Sequence, residues 1–386
     1  MKLIPWDYAV RNLGRNKLRL LMSLGGSTLV ALLVLAAAAF VTGMQQSMRV
    51  SGVAKNVLLI GAGSEESLER SEIGNNVAGI ATAEIQGIKT QLGVPYVSPE
   101  VQMASLVKLE KDASESALTL FRGITPGAFL VHPQVRITEG RTPGPDEIIV
   151  GRLAAARMGV PDLKLALGRA IWFDGRPWTI VGRFEAPHTV MEAELWCPLK
   201  DLQIAARRDN LSSVVITLDD DTTIDDVNVF TSQRLDLELV AVTETAYYSK
   251  LSEFYRPVQG IVWITAMLIA VGGLFGGLNT MYAAFAARTR ELGMLQVLGY
   301  GRIALIVNLM QESLIVAAAG GLLAIVSGFL LLDGMAVRIT MGAFGLSVDT
   351  QAVLAALGAA LVLGIVGALP PAWRCMRMPI AQALKA

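Results

Sequence analysis

Residues 258–287 read VQGIVWITAMLIAVGGLFGGLNTMYAAFAA, thirty positions without a charged side chain. A helix that crosses the apolar core of a bilayer needs about 20 mostly apolar residues, because each residue advances it by about 1.5 Å. The stretch is therefore predicted to be a transmembrane helix. Its many glycines and alanines are typical of membrane helices that pack closely against one another.

Three further stretches meet the same criterion: residues 20–43, 303–332 and 350–369. Only the segment 303–332 contains an acid, Glu312. A cleavable signal peptide is the competing interpretation of residues 20–43, but their apolar run is longer than the usual h-region of about 7–15 residues. We predict an α-helical membrane protein with four transmembrane helices and an α+β extracytoplasmic domain. The zero formal net charge gives no reason to expect nucleic-acid binding.

The distribution of basic residues predicts the orientation, because short cytoplasmic loops are enriched in Lys and Arg. Basic side chains crowd residues 1–19, the loop 288–302 and the tail 370–386, whereas the short loop 333–349 holds Arg338 alone. Both termini and the loop 288–302 are thus expected in the cytoplasm of a bacterium, with a multi-pass chain in its inner membrane. Residues 1–19 form either an amphipathic helix on the inner leaflet or only a charged flank.

Residues 44–257 are predicted to lie outside as one large α+β domain, because their apolar runs are short and alternate with polar residues. Predicted strands are residues 56–60, 117–122, 147–150, 170–173, 178–182 and 213–218, with a hairpin turn at Asp174-Gly175. Predicted helices are residues 81–92, 152–158 and 223–236. Residues 243–254 have helical composition and are expected to form a rigid stalk before the second span.

The sequence offers few residues for catalysis. Its two histidines, His132 and His188, stand in turn-like sequence and are predicted to be surface or loop residues. Cys197 and Cys375 fall on opposite sides of the predicted membrane, so no disulfide between them is expected. No zinc-protease, serine-hydrolase or P-loop pattern occurs. We therefore predict no catalytic residue, no metal site and no bound cofactor, and a protein that is not an enzyme.

The loop between the second and third spans carries the most informative motif, ARTRELGMLQVLGYGR at residues 287–302. Leu292, Leu295 and Leu298 can form one apolar stripe on a short helix that ends at Gly299 and Gly301. Such a helix could dock a cytoplasmic partner, or it could be a connector that only satisfies the positive-inside rule. The residues alone leave both interpretations open.

This loop and the helix after it, with QES at 311–313 and GG at 320–321, resemble the FtsX-like permease domain. The C-terminal sequence PPAWRCMRMPIAQAL at 370–384 is similar to the ending of that family. The middle of the chain is similar to the periplasmic core domain of MacB-type transporters at residues 139–141, 147–151, 167–168, 178–182 and 196–198. The absence of a fused ATPase makes the chain look more like lipoprotein-releasing and DevC-like subunits.

The resemblance implies mechanotransmission, in which a separate ABC ATPase dimer holds ATP and Mg²⁺ and moves the outer domains of two permeases. A second copy or a homologous permease, membrane lipid and a periplasmic adaptor are the other implied partners. The motifs that match the family place ATPase coupling at Arg288, Arg290, Glu291, Leu292, Gly293, Leu295, Leu298 and Gly299. The matching C-terminal residues are Pro371, Arg374, Pro379, Ala383 and Leu384.

Glu312 is predicted to lie inside the membrane, where an ionised carboxylate must face protein or water. A substrate or gating contact and a helix–helix hydrogen bond are both compatible with this position.

The implied function is export or extraction of a substrate at the outer face. The alternatives are an FtsX-like signal transmitter that activates a cell-wall partner, and a membrane-bound enzyme.

Overall fold

The computed structural model describes residue 13, residues 17–339 and residues 342–377. Most of the predicted amphipathic segment 1–19 lies outside the described residues, as do Pro379, Ala383 and Leu384. The described chain forms two compact units. The helical unit contains the described residues up to Thr42, Pro257–Met335 and those from Leu346 onward, and the outer domain contains Gly43–Arg256 and Ala336–Gly345.

The helices of the described chain are α1 (Lys17–Ser51), α2 (Val77–Glu84), α3 (Ala128–Val131), α4 (Ala154–Met158), α5 (Leu199–Ala206), α6 (Ile224–Gln233), α7 (Glu244–Phe254), α8 (Arg256–Ala286), α9 (Thr289–Val297), α10 (Arg302–Leu331) and α11 (Thr350–Met376). The strands are β1 (Asn56–Gly61), β2 (Ile73–Gly74), β3 (Thr90–Gln91), β4 (Val94–Pro95), β5 (Val97–Val107), β6 (Ala117–Ile124), β7 (Arg136–Gly140), β8 (Glu147–Gly151), β9 (Ala170–Phe173), β10 (Arg176–Glu185), β11 (Glu194–Pro198), β12 (Asn210–Leu211), β13 (Ser213–Thr217), β14 (Leu239–Thr243), β15 (Ala336–Ile339) and β16 (Gly342–Gly345).

Within the described residues, four helices are long and apolar enough to cross a membrane: α1, α8, α10 and α11. Together with the mixed α/β outer domain, they confirm the predicted fold class. Helix α1 continues eight residues beyond the predicted end of the first span at Gly43. Residues 44–51 contain no proline or glycine that would end a helix, so the apolar run and the following polar residues form one helix.

Small residues allow the apolar helices of the helical unit to approach one another closely. A Cβ atom at Gly320 of α10 would lie 2.7 Å from the side chain of Ser27 on α1. A Cβ atom at Gly364 of α11 would lie 2.7 Å from that of Ala317 on α10. Glycine at these two positions therefore permits backbone contacts that any larger residue would prevent.

The outer domain is built on a mixed sheet with the strand order β14-β1-β13-β5-β6-β11-β8-β10-β7, and β9 is paired to β10. The 11-residue strand β5 joins the two halves of this sheet. Its first residues pair with β13 (Glu100 opposite Ser213), and the rest pair with β6 (Gln102 opposite Arg122). The main core lies between the sheet and the short helices and contains large buried side chains such as Phe121 and Trp178.

Each of the six predicted strands is confirmed, with ends that agree to within three residues. The predicted hairpin is also confirmed: β9 and β10 pair antiparallel across Asp174 and Gly175, whose φ angles are 48° and 73°. The predicted helix at 81–92 is wrong over most of its length. Helix α2 ends at Glu84, and the chain turns at Gly87 (φ +81°), a conformation that a helix does not contain.

The loop between α10 and α11 contains an antiparallel hairpin formed by β15 and β16. The hairpin belongs to the outer domain, where Ala343 packs with Leu153 and Ala193. The sequence predicts residues 333–349 only as an outer loop, because four-residue strands with few large apolar side chains give little periodic signal.

Candidate functional site

Helix α9 connects α8 to α10 and carries the predicted coupling residues. The chain leaves α8 through Arg288 and enters α9 at Thr289. The end of α9 is set by Gly299, whose φ of +92° favours glycine, with Gly299 N–H donating to Gln296 O at 3.0 Å. The segment is therefore a defined short helix between two long ones, as the spacing of its leucines predicts.

A buried ion pair fixes the start of this segment to α10. The Nη1 atom of Arg288 lies 2.8 Å from Oε2 of Glu312, and both side chains are less than a tenth exposed. The Nε atom of Arg288 also lies 3.6 Å from Oε2 of Glu291. Neither alternative for Glu312, a substrate or gating contact or a helix–helix hydrogen bond, named Arg288 as the partner. Because the two charges neutralise each other, the structure gives a physical reason for an acid within an apolar helix.

The two faces of α9 differ in burial. Leu292 is 2% exposed and packs in a cluster with the following residues of neighbouring helices: Ala284, Phe285, Leu305, Leu309, Ala372 and Met376. On the opposite face, Met294, Val297 and Leu298 are 47%, 64% and 75% exposed. The predicted stripe is thus divided, since Leu292 is buried and Leu298 is exposed.

The other predicted coupling residues fall on both faces of the segment. Gly293 is buried, Glu291 and Leu295 are half-buried, and Arg290 and Gly299 are exposed. Their role in coupling stays a prediction. Met294 and Val297 are exposed on α9 but are not among the predicted coupling residues. Placing the leucine stripe against the core and examining the residues opposite it would have found them.

The C-terminal family residues that the structure describes lie in α11. Pro371 is buried within the helix, and Arg374 is exposed with its guanidinium 5.9 Å from the ring of Tyr282. The contacts with the cluster around Leu292 come from Ala372 and Met376. The matching residues Pro371 and Arg374 thus lie beside the packing residues Ala372 and Met376 of the same C-terminal segment.

A second group of buried charges lies in the outer domain and was not predicted. Arg122 on β6 donates from Nη1 to Glu100 at 2.5 Å, and from Nε and Nη2 to Glu194 at 2.7 and 2.8 Å. Trp196 Nε1–H also donates to Glu194 at 2.8 Å. Strand register explains the grouping, because Arg122 stands opposite Gln102 on one side and Trp196 on the other.

The group continues through His132 to the start of α7. Glu100 Oε1 lies 2.9 Å from Nε2 of His132, whose Nδ1 lies 3.7 Å from Oε1 of Glu244. Glu244 Oε2 accepts from Asn56 Nδ2 and from the Val53 backbone N–H, both at 2.9 Å. We call Glu100, Arg122, His132, Glu194 and Glu244 the charge network. Its members are buried, and three of them lie on the neighbouring strands β5, β6 and β11.

The network shifts the pKa values of its members in directions that favour mutual neutralisation. Burial opposes the charge of His132, but the Glu100 carboxylate outweighs it, so the pKa of His132 is raised above 6.5. Burial raises the pKa of Glu244 above 4.5. For Glu100, burial is outweighed by His132 and Arg122, which lower its pKa to about 2.

The prediction that both histidines are surface or loop residues is wrong for His132, which is fully buried. It is right for His188, which is exposed in a turn with a φ of 62°. The signals for His132 are two acids and an arginine at buried strand positions and a third acid at the start of α7, but these residues are far apart in sequence. Only the sheet register brings them together.

The first and last segments of the outer domain meet beside Glu244. A Cβ atom at Gly52, just after α1, would lie 2.9 Å from Cα of Thr245 in α7. Val53, the next residue along the chain, donates its backbone N–H to Oε2 of Glu244. The end of α1 and the start of α7 are thus held together by a backbone contact and by the network carboxylate. Because a side chain at residue 52 would separate them, glycine is required there.

Two family models match the chain. The MacB-like periplasmic core domain matches residues 20–229, and the FtsX-like permease C-terminal domain matches residues 263–380. The chain belongs to the MacB/FtsX-like family of ABC transporter permeases. The predicted resemblance is therefore confirmed, and the permease is a bacterial membrane protein. Relatives of the permease are consistent with a role that is not enzymatic.

Two relatives of known name, YvrN and MacB, agree with this assignment. The permease is 24% identical to the uncharacterized ABC transporter permease YvrN of Bacillus subtilis strain 168, over 87% of this chain and 93% of YvrN. It is 23% identical to the macrolide export ATP-binding/permease protein MacB of Nitrobacter winogradskyi, over 96% of this chain and 58% of that protein. The crystal structure of the periplasmic region of MacB from Actinobacillus actinomycetemcomitans is similar with a TM-score of 0.39 and 12% identity, over 53% of this chain and 95% of that chain.

The family models divide the residues of the two buried charge groups. Arg288 and Glu312 lie inside the FtsX-like match, and most of the charge network lies inside the MacB-like match. Glu244 lies between the two matched ranges, so no family motif marks it. Among the residues that the structure describes, no group of three or more His, Cys, Asp or Glu is placed to hold a metal ion.

Proposed function

We propose that the permease couples ATP hydrolysis by a separate cytoplasmic ATPase to movement of its outer domain, and thereby exports or extracts a substrate at the outer face of the membrane. The observation that carries the proposal is the two-sided character of α9. One face is packed and ion-paired, whereas the other presents Met294, Val297 and Leu298 to the surroundings. We call these three residues the α9 ridge.

The spacing of the α9 ridge suits docking into a groove of a partner protein. Residues 294, 297 and 298 follow the i, i+3, i+4 pattern by which one face of a helix lies in an apolar groove. Adjacent exposed apolar side chains of this kind are typical of interaction sites. The ridge lies on the segment that the positive-inside rule predicts to be cytoplasmic, where an ABC ATPase would meet it.

The packed face of α9 supports transmission of force. The Arg288–Glu312 ion pair and the cluster around Leu292 attach α9 to α8, α10 and α11. A partner that displaces the ridge would therefore displace these helices together, because a close-packed interior transmits strain. A loop without these contacts would bend locally and would leave the long helices in place.

The nucleotide is assigned to the partner for two reasons. The sequence contains no Gly-x-x-x-x-Gly-Lys-Ser/Thr motif to bind phosphates. YvrN, which is matched over 93% of its length, is named a permease, whereas the matched part of MacB is 58% of a protein named ATP-binding/permease. ATP and Mg²⁺ thus belong to the ATPase in this proposal. A second copy or a homologous permease, membrane lipid and a periplasmic adaptor complete the proposed assembly.

Co-purification from mild detergent tests the docking step. The permease is compared with Val297→Asp/Leu298→Asp, which places two charges on the α9 ridge. The matched control is Leu163→Asp/Leu235→Asp, two leucines of the outer domain that are 79% and 77% exposed. A protein with an ABC ATPase sequence, identified by mass spectrometry, should co-purify with the wild type and the control and be lost from the ridge variant.

Binding of the ATPase to all three proteins would contradict docking through the α9 ridge. Absence of an ATPase from all three would contradict the coupling proposal itself and would favour the FtsX-like signal transmitter. In that case a partner of the outer domain becomes the next target of the search.

A further inference from the structure

The outer domain contains a cavity of about 700 Å³, and every residue that lines it belongs to this domain. The volume falls in the range of sites that bind small organic molecules, about 300–1,000 Å³. Three parts of the wall come from the segments through which the chain enters or leaves the outer domain. They are the end of α1 (Met44, Ser47, Met48), the helix α7 and the hairpin of β15 and β16.

The inner part of the cavity is apolar and aromatic. Met44, Tyr247, Tyr248 and Phe344 are each less than a tenth exposed and line it together with Leu68 and Leu120. Burial raises the pKa values of Tyr247 and Tyr248, so both rings are neutral at physiological pH. Neutral aromatic rings bind the apolar part of a ligand and attract cations to their faces.

The mouth of the cavity is acidic. Four glutamates, Glu65, Glu66, Glu69 and Glu253, are half-buried or exposed there, against Arg70 and Lys250. No ion pair within 4.0 Å engages any of these four carboxylates among the described residues. The deeper charges are Arg157 and the Arg122–Glu194 pair, so the whole lining holds five acids and four bases. An electrostatic preference for a positive group is therefore strongest at the mouth.

A buried polar atom in the wall also points to a ligand. Ser47 is 2% exposed, and its hydroxyl has no hydrogen-bond partner within the described part of the chain. Buried hydroxyls are nearly always hydrogen-bonded, because an unpaired one costs about 1–3 kcal/mol. A bound molecule with an acceptor near Ser47 would satisfy this group.

We propose that this cavity binds an amphiphilic organic cation, whose apolar body contacts the tyrosines and whose charge lies among the glutamates of the mouth. This proposal deepens the proposed function, because it names the class of substrate. It rests on the proposed transport only in calling the bound molecule a substrate. The ends of α1 and α7 are covalently continuous with apolar helices. Movement of those helices would change the walls of the cavity, which is how ATP hydrolysis could alter affinity for the ligand.

Equilibrium dialysis of the full chain in nanodiscs of zwitterionic lipid tests the binding step without any ATPase. The probes are tetraphenylphosphonium and tetraphenylborate, which have nearly the same shape and opposite charge. Binding to empty nanodiscs is subtracted. The permease should bind tetraphenylphosphonium saturably and one-to-one, and tetraphenylborate at least tenfold more weakly.

Two variants locate the binding. Glu65→Gln/Glu66→Gln/Glu69→Gln should weaken tetraphenylphosphonium binding about tenfold, from roughly 0.5 kcal/mol for each partly solvated charge. The matched control, Glu110→Gln/Asp112→Asn/Glu115→Gln, removes three exposed acids that do not line the cavity and should change nothing. Ser47→Leu should weaken binding by filling the inner cavity, with an unchanged thermal unfolding curve as the check on folding.

Equal binding of both probes, or equal weakening by the two triple variants, would overturn the proposal. Binding that survives Ser47→Leu in a folded protein would also overturn it, because the probe would then lie elsewhere. None of these outcomes would change the expected co-purification of the ATPase. Loss of the ATPase would likewise not change the expected binding of the probe. The cavity and the coupling proposal therefore fail separately.

Discussion

The helical unit and the outer domain each bury a group of charges, and the two groups differ in size and in what they hold together. In the helical unit, Arg288 is paired with Glu312 and lies near the half-exposed Glu291, so the group fixes one short helix to one long helix. In the outer domain, five charged residues from separate elements form a network across the sheet. A small group at the edge of a unit can rearrange, whereas a large interior network stabilises a single arrangement.

This difference predicts the largest effect for Arg122→Met. The substitution leaves the carboxylates of Glu100 and Glu194 buried without their shared cation, which costs on the order of 3–5 kcal/mol or more. The thermal unfolding midpoint of the full chain, followed by tryptophan fluorescence, should fall by many degrees. The matched control is Arg141→Met, whose partner is Glu147 in an exposed pair at 2.5 Å. That change should leave the unfolding midpoint close to that of the wild type, because exposed ion pairs contribute little to stability.

The Arg288–Glu312 pair should show a smaller effect. Glu312→Gln keeps the size of the side chain and leaves Arg288 with the more distant Glu291, so we expect a loss on the order of 1–3 kcal/mol. ATPase binding should persist, because the α9 ridge is intact, but ATP-driven transport should fall. A double-mutant cycle with Arg288→Gln measures the interaction. Additive losses of unfolding free energy in the cycle would show that the pair does not couple the two helices.

His132 gives the stability of the outer domain a pH dependence. Because the folded-state pKa of His132 is raised above 6.5, its stabilisation is complete below pH 6.5 and is lost as the pH rises through the raised value. The unfolding midpoint of the wild type should therefore fall over this window, relative to that of His132→Gln. His188→Gln, a change at the exposed histidine, should follow the wild type. A constant difference between wild type and His132→Gln at all pH values would contradict the charged state of His132.

The contact between α1 and α7 predicts an effect on coupling more than on stability. Gly52→Ala requires the backbone of Thr245 to move, because the new Cβ would lie 2.9 Å from its Cα. We expect about 1–2 kcal/mol of destabilisation and reduced transport per ATP hydrolysed. The control, Gly79→Ala within α2, has open space around its Cβ and should be neutral or stabilising. Unchanged coupling in Gly52→Ala would show that this contact plays no part in transmission.

The smallest effect on the structure is expected for a cysteine substitution that tests the orientation of the chain in the membrane. Arg176→Cys places a thiol at the exposed start of β10 in the outer domain. In a Cys375→Ala background, the remaining native thiol of Cys197 is fully buried. A membrane-impermeant maleimide should label residue 176 in intact cells without permeabilisation. Protection in intact cells and labelling only after lysis would reverse the predicted orientation.

The four apolar helices and the α9 segment could be predicted because their signals are local. A long uncharged run such as residues 258–287 and a glycine that ends a helix are visible within a short window of sequence. The strand β5 was missed although it joins the sheet, because Pro99, Glu100 and Gln102 interrupt its apolar pattern. Glu100 can be buried because Arg122 on β6 and His132 neutralise its charge, and those partners are distant in sequence.

Three single residues, Glu312, Leu298 and His132, also differ from their predicted environment. Glu312 was recognised as unusual, but its partner Arg288 is 24 residues earlier and had been assigned to a loop. Leu298 is six residues after Leu292, which places it roughly 120° around the helix from Leu292 and so away from the buried side. His132 was judged from its neighbours in sequence, whereas its burial depends on Glu100 and Glu244.

The central claim is that ATP hydrolysis by the partner ATPase, transmitted through α9, moves the outer domain, and a labelling rate tests it most directly. The permease with Lys250→Cys, a change on the exposed face of α7, is reconstituted with its ATPase, and the rate of maleimide labelling is measured with and without ATP. The account predicts a rate that changes on adding ATP, and no such change in Val297→Asp/Leu298→Asp. A rate indifferent to ATP in an assembly that hydrolyses it, or an equal response in the ridge variant, would contradict the account.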